Sequence, residues 1–158
     1  MQHESNASYR FGDLLALARV SWVSQMASGL AAMGYDDYRR SDAAVMRLLQ
    51  RGPMSIGRLG EATRVTRQAA RKIVDGLERR GFATTARDES DSRQINVLLT
   101  DQGATYANAV RTVIKRLNRE LCERVEPADL AGADTVLRAV LADDHSRQLA
   151  NQLPPPSR

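Results

Sequence analysis

Basic side chains gather in one stretch of this sequence. Arg58, Arg64, Arg67, Arg71, Lys72, Arg79 and Arg80 fall between positions 58 and 80, against only Glu61, Asp75 and Glu78. Seven against three leaves +4, which equals the formal net charge of the whole 158-residue chain. Positive charge concentrated this way draws in the phosphate backbone of a nucleic acid. A solvated helix face also carries charge, so the element bearing these residues decides the reading.

Other chemistry is thinly represented. His3 and His145 have no partner at metal-ligand spacing, so no metal site and no cofactor is expected. Asp36-Asp37 and Asp143-Asp144 are paired carboxylates near helix boundaries, where turn or capping roles suit them better than acid–base catalysis. No nucleophile motif, phosphate loop or dinucleotide fingerprint occurs, so the chain does not read as an enzyme. The one cysteine, Cys122, excludes an internal disulfide. No apolar run approaches the roughly 18–20 residues of a membrane span. The opening MQHESNASYR lacks the apolar core of a signal peptide, and a cytoplasmic protein is expected.

The elements follow from periodicity. Phe11, Leu14, Ala18, Trp22, Met26, Leu30 and Met33 recur at steps of three or four and define a long helix closed by Gly34. Ser41 or Asp42 can cap a second helix carrying Val45, Leu48 and Leu49, which Gly52-Pro53 stops. Ser55 can cap a short third helix with Ile56 and Leu59 inward. Thr66 can cap a fourth, whose Ala69, Ile73, Val74 and Leu77 share one face and which Gly81 ends. Its charges lie opposite that apolar face. FATTAR and INVLLT then read as the strands of a hairpin with the polar tip DESDSRQ. A long helix from Asp101 carries Val110, Val113, Ile114, Leu117, Leu121 and Val125 on one stripe and breaks at Pro127. A last helix over about 128–142 turns Leu130, Leu137 and Leu141 inward, and the proline-rich end reads as a tail.

The expected fold is therefore mainly α with a small β wing: a winged helix-turn-helix flanked by long N- and C-terminal helices. The basic cluster falls on its second helix, the element that such domains present to DNA.

Three motifs in order support this reading. They are Leu77-Glu78-Arg79-Arg80-Gly81, then Asp88, Asp91 and Arg93, then Leu99-Thr100-Asp101-Gln102-Gly103. Together they resemble the L-E-x-x-G, D-x-x-D-x-R and L-T-x-x-G pattern of the MarR (multiple antibiotic resistance regulator) family, over about residues 10–142. The resemblance implies a bacterial-type transcription regulator, a repressor acting as a homodimer on pseudo-palindromic double-stranded DNA. It implies a tail at 1–8, a dimerisation helix at 9–34, a DNA-binding domain at 35–100, C-terminal dimerisation helices at 101–144 and a tail at 145–158. The apolar stripes at 10–33, 101–125 and 128–142 exceed what one small winged domain can cover, as an isologous dimer requires.

Residue roles carry over by position. Thr66, Arg67, Gln68 and Arg71 open the recognition helix and are expected to face base edges, Arg pairing with guanine and Gln with adenine. Ser55, Arg64 and Lys72 are expected on phosphates. Arg93 resembles the wing arginine that enters the minor groove, with Asp88 and Asp91 shaping the wing. Ser92 stands where many members carry a second basic residue, and Glu89 where proline is frequent. Both lower the positive charge of the wing and leave its hold on the groove to Arg93. Peroxide-sensing members place their cysteine in the first helix, far from Cys122, which reads as a small apolar residue. The family often binds small phenolic or amphipathic effectors between the dimer helices and the winged domain. Trp22, Met26, Tyr35, Tyr38, Met46 and Arg47 are candidates for lining such a site, with core packing as the alternative for each. The competing functional reading is a winged module for protein contacts with no DNA role.

Overall fold

Local capping chemistry sets most of the helix boundaries. In the computed structural model, which describes residues 10–87, 95–141 and 144–151, the chain forms helices α1 (Phe11–Ala31), α2 (Asp42–Leu49), α3 (Ile56–Thr63), α4 (Arg67–Arg79), α5 (Asp101–Cys122), α6 (Pro127–Val140) and α7 (Asp144–Asn151). Strands β1 (Met54–Ser55), β2 (Ala83–Arg87) and β3 (Ile95–Leu99) complete it. The Ser55 hydroxyl accepts from the Arg58 N–H at 3.4 Å and starts α3, and Thr66 accepts from the Ala69 N–H at 3.1 Å and starts α4. Thr100 does the same for α5, accepting from the Gly103 N–H at 2.9 Å. Gly34 and Gly81, at φ 88° and 74°, take the left-handed conformation just beyond α1 and α4.

The sheet has the order β1-β3-β2, with both pairings antiparallel. The expected hairpin is present, with Thr85 opposite Val97. Its tip, with Asp88, Asp91 and Arg93, lies outside the described residues. The third strand was not anticipated: Met54 and Ser55 pair with Val97 and Asn96, tying the entrance of α3 to the hairpin.

Contacts divide the chain into two units, 1–114 and 115–158. The first has a core of Val45, Met46, Leu49, Leu59, Val74, Leu77 and Val97, each no more than 4% exposed. These residues come from α2, α3, α4 and β3, which fixes α4 against the rest of the winged domain. In α1, by contrast, only Met26, Gly29 and Leu30 are buried, while Leu14, Leu17 and Val20 stand 59–69% exposed.

The second unit departs further from expectation. No residue of α6 is buried, and Leu137, expected inward, is 46% exposed. Periodicity marks an apolar face; it does not supply a cover, and none exists for this face among the described residues. The segment read as a tail continues as helix α7 to Asn151, three residues short of the first of the prolines at 154–156. A proline disfavours helix only at itself and the residue before it, so the run leaves 144–151 unconstrained.

Candidate nucleic-acid interface

Helix α4 divides its two faces cleanly. Ala70, Val74, Gly76 and Leu77 are buried, whereas Thr66, Arg67, Gln68, Arg71 and Lys72 are exposed. The five exposed residues belong to the first two turns and form one polar surface at the N-terminal end. Arg71 is held by Asp75 one turn on, at 2.8 Å. An exposed pair of this kind is worth well under about 1 kcal/mol, so the guanidinium can exchange Asp75 for a phosphate or a base at little cost.

The other expected phosphate contacts, Ser55 and Arg64, stand at the two ends of α3. Ser55 spends its hydroxyl as the cap of α3, which leaves its O–H free to donate elsewhere. Arg64 is the C-cap of α3 and the one non-glycine residue at positive φ (56°) among those described. It turns the chain so that the Val65 N–H returns to the Gly60 carbonyl at 2.9 Å. A Cβ on Gly60 would stand 3.0 Å from the Val65 carbonyl oxygen, so a side chain there would press on the turn that leads into α4.

The other end of α4 is locked by a buried polar cluster. Arg80 Nη1 donates to Asp42 Oδ2 at 2.8 Å, and Nη2 donates to Asp42 Oδ1 at 3.0 Å. The Tyr106 hydroxyl donates to Asp42 Oδ2 at 2.7 Å, and so does the Arg39 backbone N–H at 3.0 Å. Asp42 is 0% exposed. It does not cap α2 with its own N-terminal position, and Ser41 makes no side-chain cap bond either. Asp42 instead reaches back to accept the Arg39 N–H, while its own N–H donates to the Arg39 carbonyl at 2.8 Å, so its side chain and backbone together close the turn that leads into α2.

Charge and burial pull against each other in this cluster. Burial alone would lower the Arg80 pKa, but the hydrogen-bonded charge of Asp42 outweighs it and the guanidinium is held more firmly protonated. Burial, then the bond to Asp42, pushes the Tyr106 phenol well above the ordinary tyrosine range. Arg80 also donates to the carbonyls of Gly76 and Asp37 at 3.1 and 2.8 Å, and its guanidinium lies 5.2 Å from the Phe82 ring centre.

Beside this cluster, within the first unit, lies a cavity of about 260 Å³. Its aromatic walls are Phe82 stacked on Tyr106 (4.2 Å, 9°) and Tyr35 tilted against Tyr106 (4.9 Å). Asp36, Asp37 and Gln102 border it on the solvent side, and Arg80 closes the back. Among the residues expected to line an effector pocket, only Tyr35 does so here. Met26 and Met46 are core residues at 0% and 1% exposure, Trp22 and Tyr38 are half-buried, and Arg47 is exposed.

Comparison with known proteins agrees with this geometry. The MarR family model matches residues 37–94. Over that segment the chain is similar to the MarR family. The HTH-type transcriptional regulator YkoM of Bacillus subtilis is 30% identical over 74 residues, which are 46% of this chain and 48% of that protein. The match thus spans about half the length of that relative. Among solved structures, a cysteine-to-serine mutant of MarR from E. coli in complex with operator DNA superposes with a TM-score of 0.70 at 19% identity, over 82% of this chain and 92% of that one. BpsR of Bordetella bronchiseptica, whose DNA binding is regulated by 6-hydroxynicotinic acid, superposes with a TM-score of 0.70 at 19% identity, over 91% and 99%. At these identities the likeness is one of fold. The chain thus shares the fold of these two proteins, mostly helical with a small antiparallel sheet.

Two residues that anchor the domain were missed in the sequence. Asp42 passes for a helix cap, and Tyr106 sits one turn before Val110 on the same face of α5, where the apolar stripe read along that helix starts too late. The nearest signal was an acidic residue at a helix start whose basic partner stands 38 positions away in the L-E-x-x-G motif.

Proposed function

We propose that this chain is a sequence-reading, double-stranded DNA-binding transcription regulator that acts as a homodimer. The observation that carries the reading is the N-terminal end of α4, where Thr66, Arg67, Gln68, Arg71 and Lys72 are all exposed on the second helix of a helix-turn-helix. Arg67, Gln68 and Arg71 present the side chains that pair with guanine and adenine edges in the major groove. Lys72, Arg64 and Ser55 take phosphates. Arg93 belongs to the minor groove by the same reading.

Exposed apolar surface supports the dimer. Leu14, Leu17 and Val20 on α1, and Val136, Leu137 and Val140 on α6, would be costly to leave in water and fit a second copy of the chain. Two copies would then offer paired recognition helices to an inverted repeat. The BpsR likeness supports an effector that shifts the dimer between binding and non-binding states, and repression as the outcome rests on the family resemblance alone.

The test is selection of bound sequences from a random duplex library at near-physiological salt, with wild type and Arg67→Ala/Arg71→Ala. An enriched inverted repeat that the double variant loses is expected. Salt-sensitive binding without enrichment would leave the protein-contact module instead.

A further inference from the structure

We infer that the cavity walled by Tyr35, Phe82 and Tyr106 is a binding site for a small aromatic amine, and that Asp36 is the group that selects its charge. The inference deepens the effector part of the proposed function. It concerns binding to the protein alone and does not depend on which DNA is read.

Size limits the occupant first. A volume of about 260 Å³ lies just under the range of drug-sized pockets and suits a single ring with a short substituent. Three aromatic side chains form the wall, which favours a flat apolar body, and their ring electrons favour a neighbouring cation.

Charge then sets the substituent. Arg80 is the cation bordering the cavity, but four of its five N–H donors are already engaged by Asp42, by the Gly76 carbonyl and by the Asp37 carbonyl. An anionic ligand could take a bidentate grip on Arg80 only by displacing a fully buried carboxylate, which is strongly unfavourable. The Asp37 carboxylate is held by Arg39 at 3.1 Å, and that pairing keeps its pKa below the usual carboxylate range. Asp36 lines the same cavity as Asp37 and Gln102, and its carboxylate makes no ion pair or hydrogen bond among the described residues. Counting Asp36, Asp37 and Asp42 against Arg39 and Arg80, the site retains one uncompensated negative charge. An ammonium group at the mouth would balance it, with the Gln102 amide oxygen as a further acceptor.

The experiment is calorimetric titration of the full chain with 2-phenylethylamine and with phenylacetate, which share a ring and differ in the sign of the terminal charge. The amine is expected to bind about tenfold more tightly than the acid, and Asp36→Asn to weaken the amine about threefold to fivefold, as loss of one exposed charge pair predicts. Asp129→Asn, which removes an exposed charge on α6, should leave the affinity unchanged and so separates a local contact from a general field. Equal or tighter binding of the acid, indifference of the amine to Asp36→Asn, or no binding of the amine overturns the inference. None of these outcomes bears on DNA selection by α4.

Discussion

Arg80 and Asp42 meet through two parallel N–H···O bonds, although 38 positions separate them in the chain. The pair joins the C-terminal end of the recognition helix to the start of α2, and Tyr106 extends the link to α5. The orientation of α4 is therefore set by electrostatics as well as by the packing of Val74 and Leu77.

Breaking one partner should be costly. Asp42→Asn leaves the Arg80 guanidinium, whose side chain is 12% exposed, with only the exposed Asp37 carboxylate at 3.9 Å as a counter-charge, and a loss of about 3 kcal/mol is expected. Replacing both partners with apolar residues, Asp42→Leu with Arg80→Met, should recover most of it. Denaturant midpoints of the three proteins check this; a double variant as unstable as the single one would show that geometry, not charge balance, sets the cost.

The same cluster predicts a pH response. The Tyr106 phenol has its folded pKa raised above the ordinary value of 10.0, by burial first and by the bond to Asp42 second. A group raised in the folded state contributes stability that is complete below its unfolded pKa and is lost as pH rises beyond it. Stability should therefore fall as pH climbs past about 10. Tyr38, also raised by burial and by the charge of Asp42, acts in the same direction. Urea unfolding across that range should show a shallower fall in Tyr106→Phe than in wild type, and parallel curves would contradict the assignment.

Gly103 is expected to tolerate no side chain. A Cβ there would overlap the backbone carbonyl of Phe82, which cannot swing away as a side chain could. That carbonyl also accepts from the Thr100 N–H at 3.2 Å. Gly103→Ala should cost about 3 kcal/mol or more, read as a drop in Tm. A neutral result would require α5 to shift away from the sheet.

Stability and DNA recognition should separate along the first turn of α4. Thr66→Ala removes a cap and should cost about 1 kcal/mol of stability. Arg67→Ala and Gln68→Ala, both exposed, should stay within about 0.5 kcal/mol of wild type. On the selected operator, Gln68→Ala should relax preference at one base pair by about 1–3 kcal/mol, and Lys72→Ala should weaken all sequences alike and flatten the salt dependence. Unfolding curves together with binding isotherms on single-base operator variants check both halves. A Gln68→Ala protein with unchanged base preference would remove that side chain from the reading surface.

Features carried by local chemistry were legible in the sequence. Gly81 ends α4 with a positive φ, Ser55 and Thr66 cap the helices they precede, and the hairpin falls where branched residues alternate. The L-T-x-x-G motif turns out to be a joint: the Thr100 hydroxyl receives the Gly103 N–H and donates to the Gly81 carbonyl at 2.5 Å. Features that depend on distant partners were hidden. Asp42 and Tyr106 stand 64 positions apart, and periodicity is blind to such a pairing. Two residues of β1 are too few to show alternation. The cavity is assembled from a loop, a helix end and the first turns of α5, each of which reads as ordinary punctuation on its own.

The siting of the buried Arg80 anchor at the C-terminal end of α4 has an evolutionary consequence. Residues 67, 68 and 71 project from the far end of a helix whose attitude is fixed by Arg80, so they carry little of the burden of holding the domain together. A duplicated gene can exchange them freely and drift toward a new target while its product stays folded, whereas drift at positions 42, 80 or 106 removes the protein before any new specificity is tried.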